Sequence, residues 1–264
     1  MKQVSLNPFG MMLVSDDHTT GLAQLSIATV KELLHQHKLV VIRGISAPAR
    51  DQFLAFCAGI SEMRPLEWSF GPVMEMKEDQ NPQNYLFSRE KVPFHWDGAF
   101  HQVPDYLVFS CVQAPNEAAG GETLFTNTEP LYQEASEEIR NHWALLELQY
   151  QTDKKAHYGG SIKAPLVQKH PITQAPILRF AEPVETELNP VSLKISGGDL
   201  SLHPHFLSDM VQKIYAAEYC YKHQWQAGDL LFADNHSLIH GRTAFEKNCP
   251  RHLRRIQLIK ETSL

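Results

Sequence analysis

Pro93-Phe94-His95-Trp96-Asp97-Gly98-Ala99-Phe100 places an imidazole and a carboxylate two residues apart. In an extended strand side chains alternate between faces, so His95 and Asp97 project together while Trp96 turns the other way. A divalent metal held by this pair needs a third anchor. The late segment Asp234-Asn235-His236-Ser237-Leu238-Ile239-His240-Gly241-Arg242 offers His240. Two histidines and one carboxylate on one side of an ion form the facial triad of non-haem Fe(II) oxygenases, which leaves positions for a chelating cosubstrate and dioxygen. Two other chemistries compete for the same ligands: a zinc hydrolase, and a metal-binding protein without turnover.

The elements that must position these groups are legible in outline. Ile27, Val30, Leu33 and Leu34 follow helical spacing, and Leu39-Val40-Val41-Ile42 is a short buried strand closed by Arg43-Gly44. Ser46-Ala47-Pro48 marks a helix start, with Phe53, Leu54 and Cys57 as its inward face. Residues 62–90 are polar, broken by Gly71-Pro72 and Asn81-Pro82, and read as a long loop set against the proposed metal strand. Tyr106 to Val112 is a buried strand. The Gly120-Gly121 turn then feeds a strand that begins with Thr123. A helix is expected over 129–142, an extended segment over 143–151, a second loop insertion around 152–170, a strand over 176–180 and a helix over 206–219.

Trp225-Gln226-Ala227-Gly228-Asp229-Leu230-Leu231-Phe232 combines a Gly-Asp turn with an apolar strand, and the next strand carries His240. Arg251 to Ile259 reads as a final strand in which Arg251, Leu253, Arg255 and Gln257 share a face. A guanidinium placed inward beside apolar groups is costly unless it meets an anion, and its planar fork suits a carboxylate. His203-Pro204-His205 has metal-like spacing, but its proline and its place before a helix favour a helix-entry turn. His35 and His37 fall near a helix C-terminus, where imidazolium is favourable.

Composition bounds the function. The 264 residues, 43% apolar and 20% charged, suffice for one soluble domain over 1–264. A net charge of −6 gives no general attraction to nucleic acid or an anionic membrane. No run reaches the length of a membrane span and the N-terminus lacks a signal-peptide apolar block, so a cytoplasmic setting is expected. Cys57, Cys111, Cys220 and Cys249 are scattered, which argues against a disulfide framework or a structural zinc.

Taken in order, His95-x-Asp97, Gly120-Gly121-Glu122-Thr123-Leu124-Phe125, Gly228 to Asn235, His240-Gly241-Arg242 and Arg251-x-x-x-Arg255 resemble the TauD/TfdA family of Fe(II)- and 2-oxoglutarate-dependent dioxygenases, over nearly the whole chain. The resemblance implies an α+β, mainly β fold: a double-stranded β-helix (jelly roll) with flanking helices and the metal in its mouth. It implies Fe(II), 2-oxoglutarate and O2, with His95, Asp97 and His240 as catalytic metal ligands. Thr123 would hydrogen-bond the cosubstrate, Arg255 would pair with its distal carboxylate, and Arg251 would serve as a second arginine near the cosubstrate or substrate carboxylate. Related halogenases lack the carboxylate ligand, so Asp97 argues for hydroxylation, desaturation or oxidative cleavage.

The run Phe94 to Phe100, with Val103-Pro104-Asp105-Tyr106 and Ala114-Pro115-Asn116-Glu117, is similar to the PvcB-like branch, which oxidises isonitrile derivatives of aromatic amino acids in secondary metabolism. That likeness makes Lys91, Phe100, His101 and Tyr158 candidate walls for a small aromatic acid. Sulfonates, aryloxyacetates and amino acids are the other substrates the family suggests. Neither nucleic acid nor membrane is expected as a partner, and a homo-oligomer is left open.

Overall fold

The computed structural model describes residues 1–15, 20–68, 71–153, 160–188, 190–199, 201 and 203–261. The architecture is mainly β with short helices. β1 (Lys2–Ser5) and β2 (Met11–Val14) pair antiparallel. α1 (Ile27–His37) begins where the Ser26 hydroxyl accepts the Thr29 amide hydrogen, and it buries Val30, Leu33 and Leu34, the stripe expected from spacing. It leads into β3 (Leu39–Arg43). α2 (Arg50–Ala58) starts later than the Ser46-Ala47-Pro48 signal suggests: the Gln52 side chain caps the Ala49 amide, leaving Pro48 outside the first turn.

The 62–90 segment corrects the loop expectation. It contains β4 (Met63–Pro65) and β5 (Met74–Lys77), both paired to the last strand of the chain. Short edge strands keep solvated side chains, so their polarity concealed them. β6 (Val92–His95), β7 (Tyr106–Gln113) and β8 (Thr123–Asn127) follow. The single helix expected over 129–142 is two, α3 (Thr128–Gln133) and α4 (Glu137–Leu145), divided where the Ser136 hydroxyl caps the second. α4 runs through Trp143, so the extended segment begins only at β9 (Glu147–Gln151).

The second expected insertion likewise holds β10 (Ser161–Pro165) and β11 (Val167–Lys169), paired with β9 and with β12 (Pro176–Leu178); residues 154–159 lie outside the described residues. β13 (Ser192–Ser196) adds to β9, and α5 (Phe206–Ile214) stops before residue 219 because the chain turns there into β14 (Cys220–His223). β15 (Leu230–Asp234), β16 (Leu238–Arg242) and β17 (His252–Lys260) complete the chain.

Two sheets position the site. The larger runs β1-β2-β3-β15-β7-β17-β4, with β5 also on β17; the smaller runs β14-β8-β16-β6. Their facing sides share a core of Leu39, Val41, Phe109 and Leu231 from one sheet and Phe125 and Leu238 from the other. The outer side of the large sheet is covered by α1 and α2, through Leu33, Leu34, Phe53 and Cys57 against Val40, Ile42 and Phe232. α3, α4 and α5 cover the outer side of the small sheet, through Leu131, Trp143 and Met210 against Phe94, Leu124 and Ile239. Burial on both sides explains why β3 and β15 are continuous apolar runs without alternation. No described helix is long and apolar enough to cross a membrane.

Candidate functional site

Residue parity in the small sheet decides what enters the space between the sheets. In β16, Ile239 packs outward and Leu238 inward, so His240 turns inward; in β8, Leu124 goes outward and Phe125 inward, so Thr123 turns inward. β6 pairs with β16 so that His95 lies directly opposite His240, with a register shift one step further on. Gly241 permits that approach, because a Cβ there would stand 2.8 Å from the Val92 carbonyl oxygen.

β6 ends at His95, two residues earlier than a strand carrying both groups would require. The alternation nevertheless continues through Trp96, which is buried in the outer core, to Asp97. Gly98, at φ +80°, then reverses the chain so tightly that a Cβ would meet the Gln102 carbonyl oxygen at 2.2 Å. Gly98→Ala should cost about 1–3 kcal/mol in backbone strain alone and tilt Asp97 out of place. A lowered melting temperature together with weakened metal binding is the expected result.

The ligand atoms of His95, Asp97 and His240 lie within 4.8 Å of one another. Nε2 of each histidine stands 3.6 Å from Asp97 Oδ1. Neighbouring donors on one ion with bonds of about 2.1 Å lie about 3 Å apart, so a small contraction would seat a metal. The His95 Nδ1–H donates to the Pro93 carbonyl at 2.9 Å, which leaves the Nε2 lone pair facing the centre. The His240 ring stacks on Phe125, with centroids 6.2 Å apart. Asp97 Oδ2 is taken by the Arg255 guanidinium at 2.8 Å and by the Gln257 amide, leaving Oδ1 for an ion. The Asp97 amide is anchored at 3.0 Å on Asn235 Oδ1. Oxygen and nitrogen donors in this number fit a first-row divalent ion with open positions.

Electrostatics point the same way. Burial alone would raise the Asp97 carboxyl, but Arg255, His95 and His240 outweigh it and hold the group far below the usual carboxylate range. Burial, with His95 beside it, lowers His240 well below its ordinary value, so the imidazole is neutral at pH 7 and could offer a lone pair to an ion. Burial also lowers His142 and His223. All three bind protons more readily in the unfolded chain, whose value is near 6.5, than in the fold. Stability of the metal-free protein should therefore fall as pH drops through about 6.5, above the range where carboxylates titrate. Thermal melting between pH 7.5 and 5.5 checks this; a flat profile would contradict it.

Arg255, on β17, and Arg251, one residue before that strand begins, face these three groups with different neighbours. The Arg251 side chain is 4% exposed; its Nε donates to the Gly121 carbonyl at 2.7 Å and its Nη2 to Thr123 Oγ1 at 3.2 Å. Among the described residues it pairs with no carboxylate. Burial, reinforced by the charge of Arg242, lowers it to about 9. A cation so placed is a site awaiting an anion. Thr123, Arg251 and Arg255 line one narrow cleft together with His95 and His240.

A larger cavity of about 140 Å³ opens from the other side of His95, Asp97 and Arg255. Trp68, Tyr85, Trp96, Phe100 and Tyr150 are among its walls, as are His101 and Gln257. Phe100 and His101, two of the candidate wall residues, line it. Lys91 does not: its ammonium pairs with Glu182 at 3.5 Å and lies over the Tyr215 ring, with the side chain half exposed. Tyr158 lies outside the described residues. His203 and His205 stand at the entry of α5, where the His203 ring packs on His142 at 3.9 Å, away from the three ligands.

Several participants had no role assigned from sequence. Gln257 shares the inward face two residues beyond Arg255, and nothing in the sequence names Asp97 as its partner. Nothing in sequence joins Asn235 to Asp97, or Trp225 to Thr123, whose Oγ1 accepts the indole N–H at 2.9 Å. Arg242 donates to the carbonyls of Tyr85, Leu86, Ser88 and Glu90, pinning the segment that supplies one cavity wall. Arg242→Leu should therefore raise the substrate KM several-fold and open residues 84–90 to limited proteolysis, with metal affinity unchanged.

Comparison with known proteins places the chain in a family. Residues 14–257 match the family model described as taurine catabolism dioxygenase TauD, TfdA family. The chain is 41% identical to 3-((Z)-2-isocyanoethenyl)-1H-indole synthase of Fischerella ambigua, covering 97% of this chain and 94% of that protein. It is 34% identical to the tyrosine isonitrile desaturase of Pseudomonas aeruginosa, over 97% and 89% of the two chains. The solved structure of PvcB, described as an Fe, alpha-ketoglutarate dependent oxygenase from an isonitrile synthetic pathway, superposes with a TM-score of 0.79 at 29% identity, over 98% and 92%.

Proposed function

Because the chain belongs to the TauD/TfdA family, we propose that it is an Fe(II)- and 2-oxoglutarate-dependent oxygenase acting on an isonitrile derivative of an aromatic amino acid, with desaturation as the outcome. The observation that carries this reading is the convergence of His95, Asp97 and His240 at one end of a cavity walled by aromatic rings. Indole- and tyrosine-derived isonitriles are named for the relatives at 41% and 34% identity. In this reading the two facing sheets are the halves of a double-stranded β-helix, and residues 1–264 form one dioxygenase domain working in the cytoplasm on a diffusible substrate.

Iron with 2-oxoglutarate and O2 would supply oxidation of a C–H bond, with succinate and carbon dioxide released. The chain's own residues bind, orient and exclude water. His95, Asp97 and His240 would hold the ion on one side. Thr123 and Arg251 are adjacent in the cleft and unmatched by a carboxylate, so we assign them to the distal carboxylate of 2-oxoglutarate. Arg255 has that role when the motif alone is considered. Its bond to Asp97 and its place on both cavities instead favour a clamp on the ligand carboxylate that can also meet the acid group of the substrate. Aromatic walls suit a planar ring and keep water from the reacting carbon.

The test is succinate release by the purified protein with ferrous iron, 2-oxoglutarate and the isonitrile acids derived from tryptophan and tyrosine. Turnover dependent on either acid supports the proposal. Turnover only with taurine, an aryloxyacetate or a free amino acid would replace the substrate class, and none with any would favour a binding protein.

A further inference from the structure

We infer that Trp225 is a positioning residue for the cosubstrate, acting by making the Thr123 hydroxyl an obligate donor to a carboxylate. This rests on the assignment of Thr123 and Arg251 to the distal carboxylate of 2-oxoglutarate. A hydroxyl oxygen has two lone pairs and one proton. At Thr123, 4% exposed, two N–H groups approach the oxygen: the indole Nε1–H of Trp225 at 2.9 Å and the guanidinium Nη2–H of Arg251 at 3.2 Å. Neither nitrogen can accept, so both lone pairs are used and the hydroxyl proton must point elsewhere. Among the described residues it meets no acceptor, and the cleft that Thr123 lines with Arg251 and His240 is the space left to it.

The two donors differ in kind. Arg251 would touch the anion itself, whereas Trp225 is absent from the cleft lining and acts only through Thr123. Its indole is held by its surroundings: 2% exposed, edge-on to the His223 ring at 4.4 Å and tilted against Phe109 at 6.0 Å. His223 is fixed in turn at 3.2 Å on Asp229, and Asp229 by Arg43 at 2.7 Å. The indole nitrogen thus has one available direction. An O–H free to rotate could offer an incoming carboxylate a lone pair instead of a proton, which would repel it. With Trp225 in place that orientation is closed, and the hydroxyl is ready for an anion before it arrives.

The experiment uses the full chain loaded with Mn(II) without oxygen, and reads 2-oxoglutarate binding by titration calorimetry. Trp225→Phe keeps an aromatic ring and removes the donor; it should weaken 2-oxoglutarate about 5- to 10-fold, the scale of one hydrogen bond, while Mn(II) affinity stays within about two-fold of the unaltered chain. In a Thr123→Val background the same change should cost less than about two-fold, because the group it orients is gone. Equal losses in both backgrounds, or no loss in either, would overturn the inference, since a packing role does not depend on the Thr123 hydroxyl. If Trp225→Phe does not fold, a Zn(II)-loaded chain with labelled tryptophan gives a second reading: of the four indole signals, one should shift in Thr123→Val, and four unmoved signals would overturn it. An unaltered chain that fails to bind 2-oxoglutarate would overturn the underlying assignment as well, and that outcome appears before any substitution is made.

Discussion

Asp97→Ala should abolish succinate release and weaken ferrous-iron binding by more than about 100-fold, beyond the 10- to 100-fold typical of losing a supporting partner of a ligand. Asp97 is the carboxylate of the three-ligand group and the anion against which Arg255 is buried. Its removal would take one of the three proposed metal bonds and leave a guanidinium, 5% exposed, without its counter-charge. Breaking such a pair from one side costs about 3–5 kcal/mol, so the metal-free variant should also melt lower than the parent. The Gln257 amide loses its acceptor in the same step. Titration with ferrous iron under anaerobic conditions, alongside thermal melting, separates the two effects. Retention of iron affinity within a few-fold would end the assignment of Asp97 as a ligand. A lowered affinity with unchanged melting would mean that Arg255 finds another anion.

Arg251→Met should act in opposite senses on binding and on stability. The guanidinium is buried with one carbonyl and one hydroxyl as acceptors and no carboxylate among the described residues, and burial has already lowered it to about 9. A methionine of similar length removes the desolvated charge, so the metal-free protein should be as stable as the parent or more so. Binding of 2-oxoglutarate should fall about 100-fold or more, because the charge-assisted bonds to the distal carboxylate are lost. Metal affinity should be unaffected, since Arg251 touches none of the three ligands. A stability gain paired with a loss of cosubstrate marks a site preorganised for its ligand at the expense of the empty fold. A marked drop in melting temperature instead would show that Arg251 is a structural tie between β8 and β17. Arg255→Gln differs from both: through Asp97 it should weaken metal binding as well as turnover, which a residue serving only the distal carboxylate would not do.

Much of this site could be read from the chain because its parts are short-range. His95 and Asp97 share a face through strand alternation, and the inward set Arg251, Leu253, Arg255 and Gln257 obeys the same period. The Gly120-Gly121 turn and the strand opening at Thr123 are likewise local consequences of residue type. Strands buried on both sides announced themselves as apolar runs. Those at the edges, β4, β5, β10 and β11, did not, because half-solvated strands have the composition of loops. Helix ends shifted by a few residues wherever a side chain such as Gln52 or Ser136 supplied the cap, a choice made by hydrogen bonding and not by hydrophobic period.

Sequence by itself therefore determined the chemistry available: two imidazoles, a carboxylate, a hydroxyl and inward guanidinium groups, each on a strand whose alternation aims it. Only the tertiary structure distinguishes the surroundings of the two guanidinium groups. Arg255 lies in β17 and Arg251 one residue before it begins, four positions apart, and the alternation expected from sequence cannot tell them apart. Sheet packing does, by setting Thr123 beside the first and Asp97 beside the second. The same holds for Trp225, Asn235, Gln257 and Arg242, whose partners lie more than a hundred residues away in sequence. A hydrogen bond needs its partner within about 3 Å, and that proximity arises only when separate strands are brought to face one another.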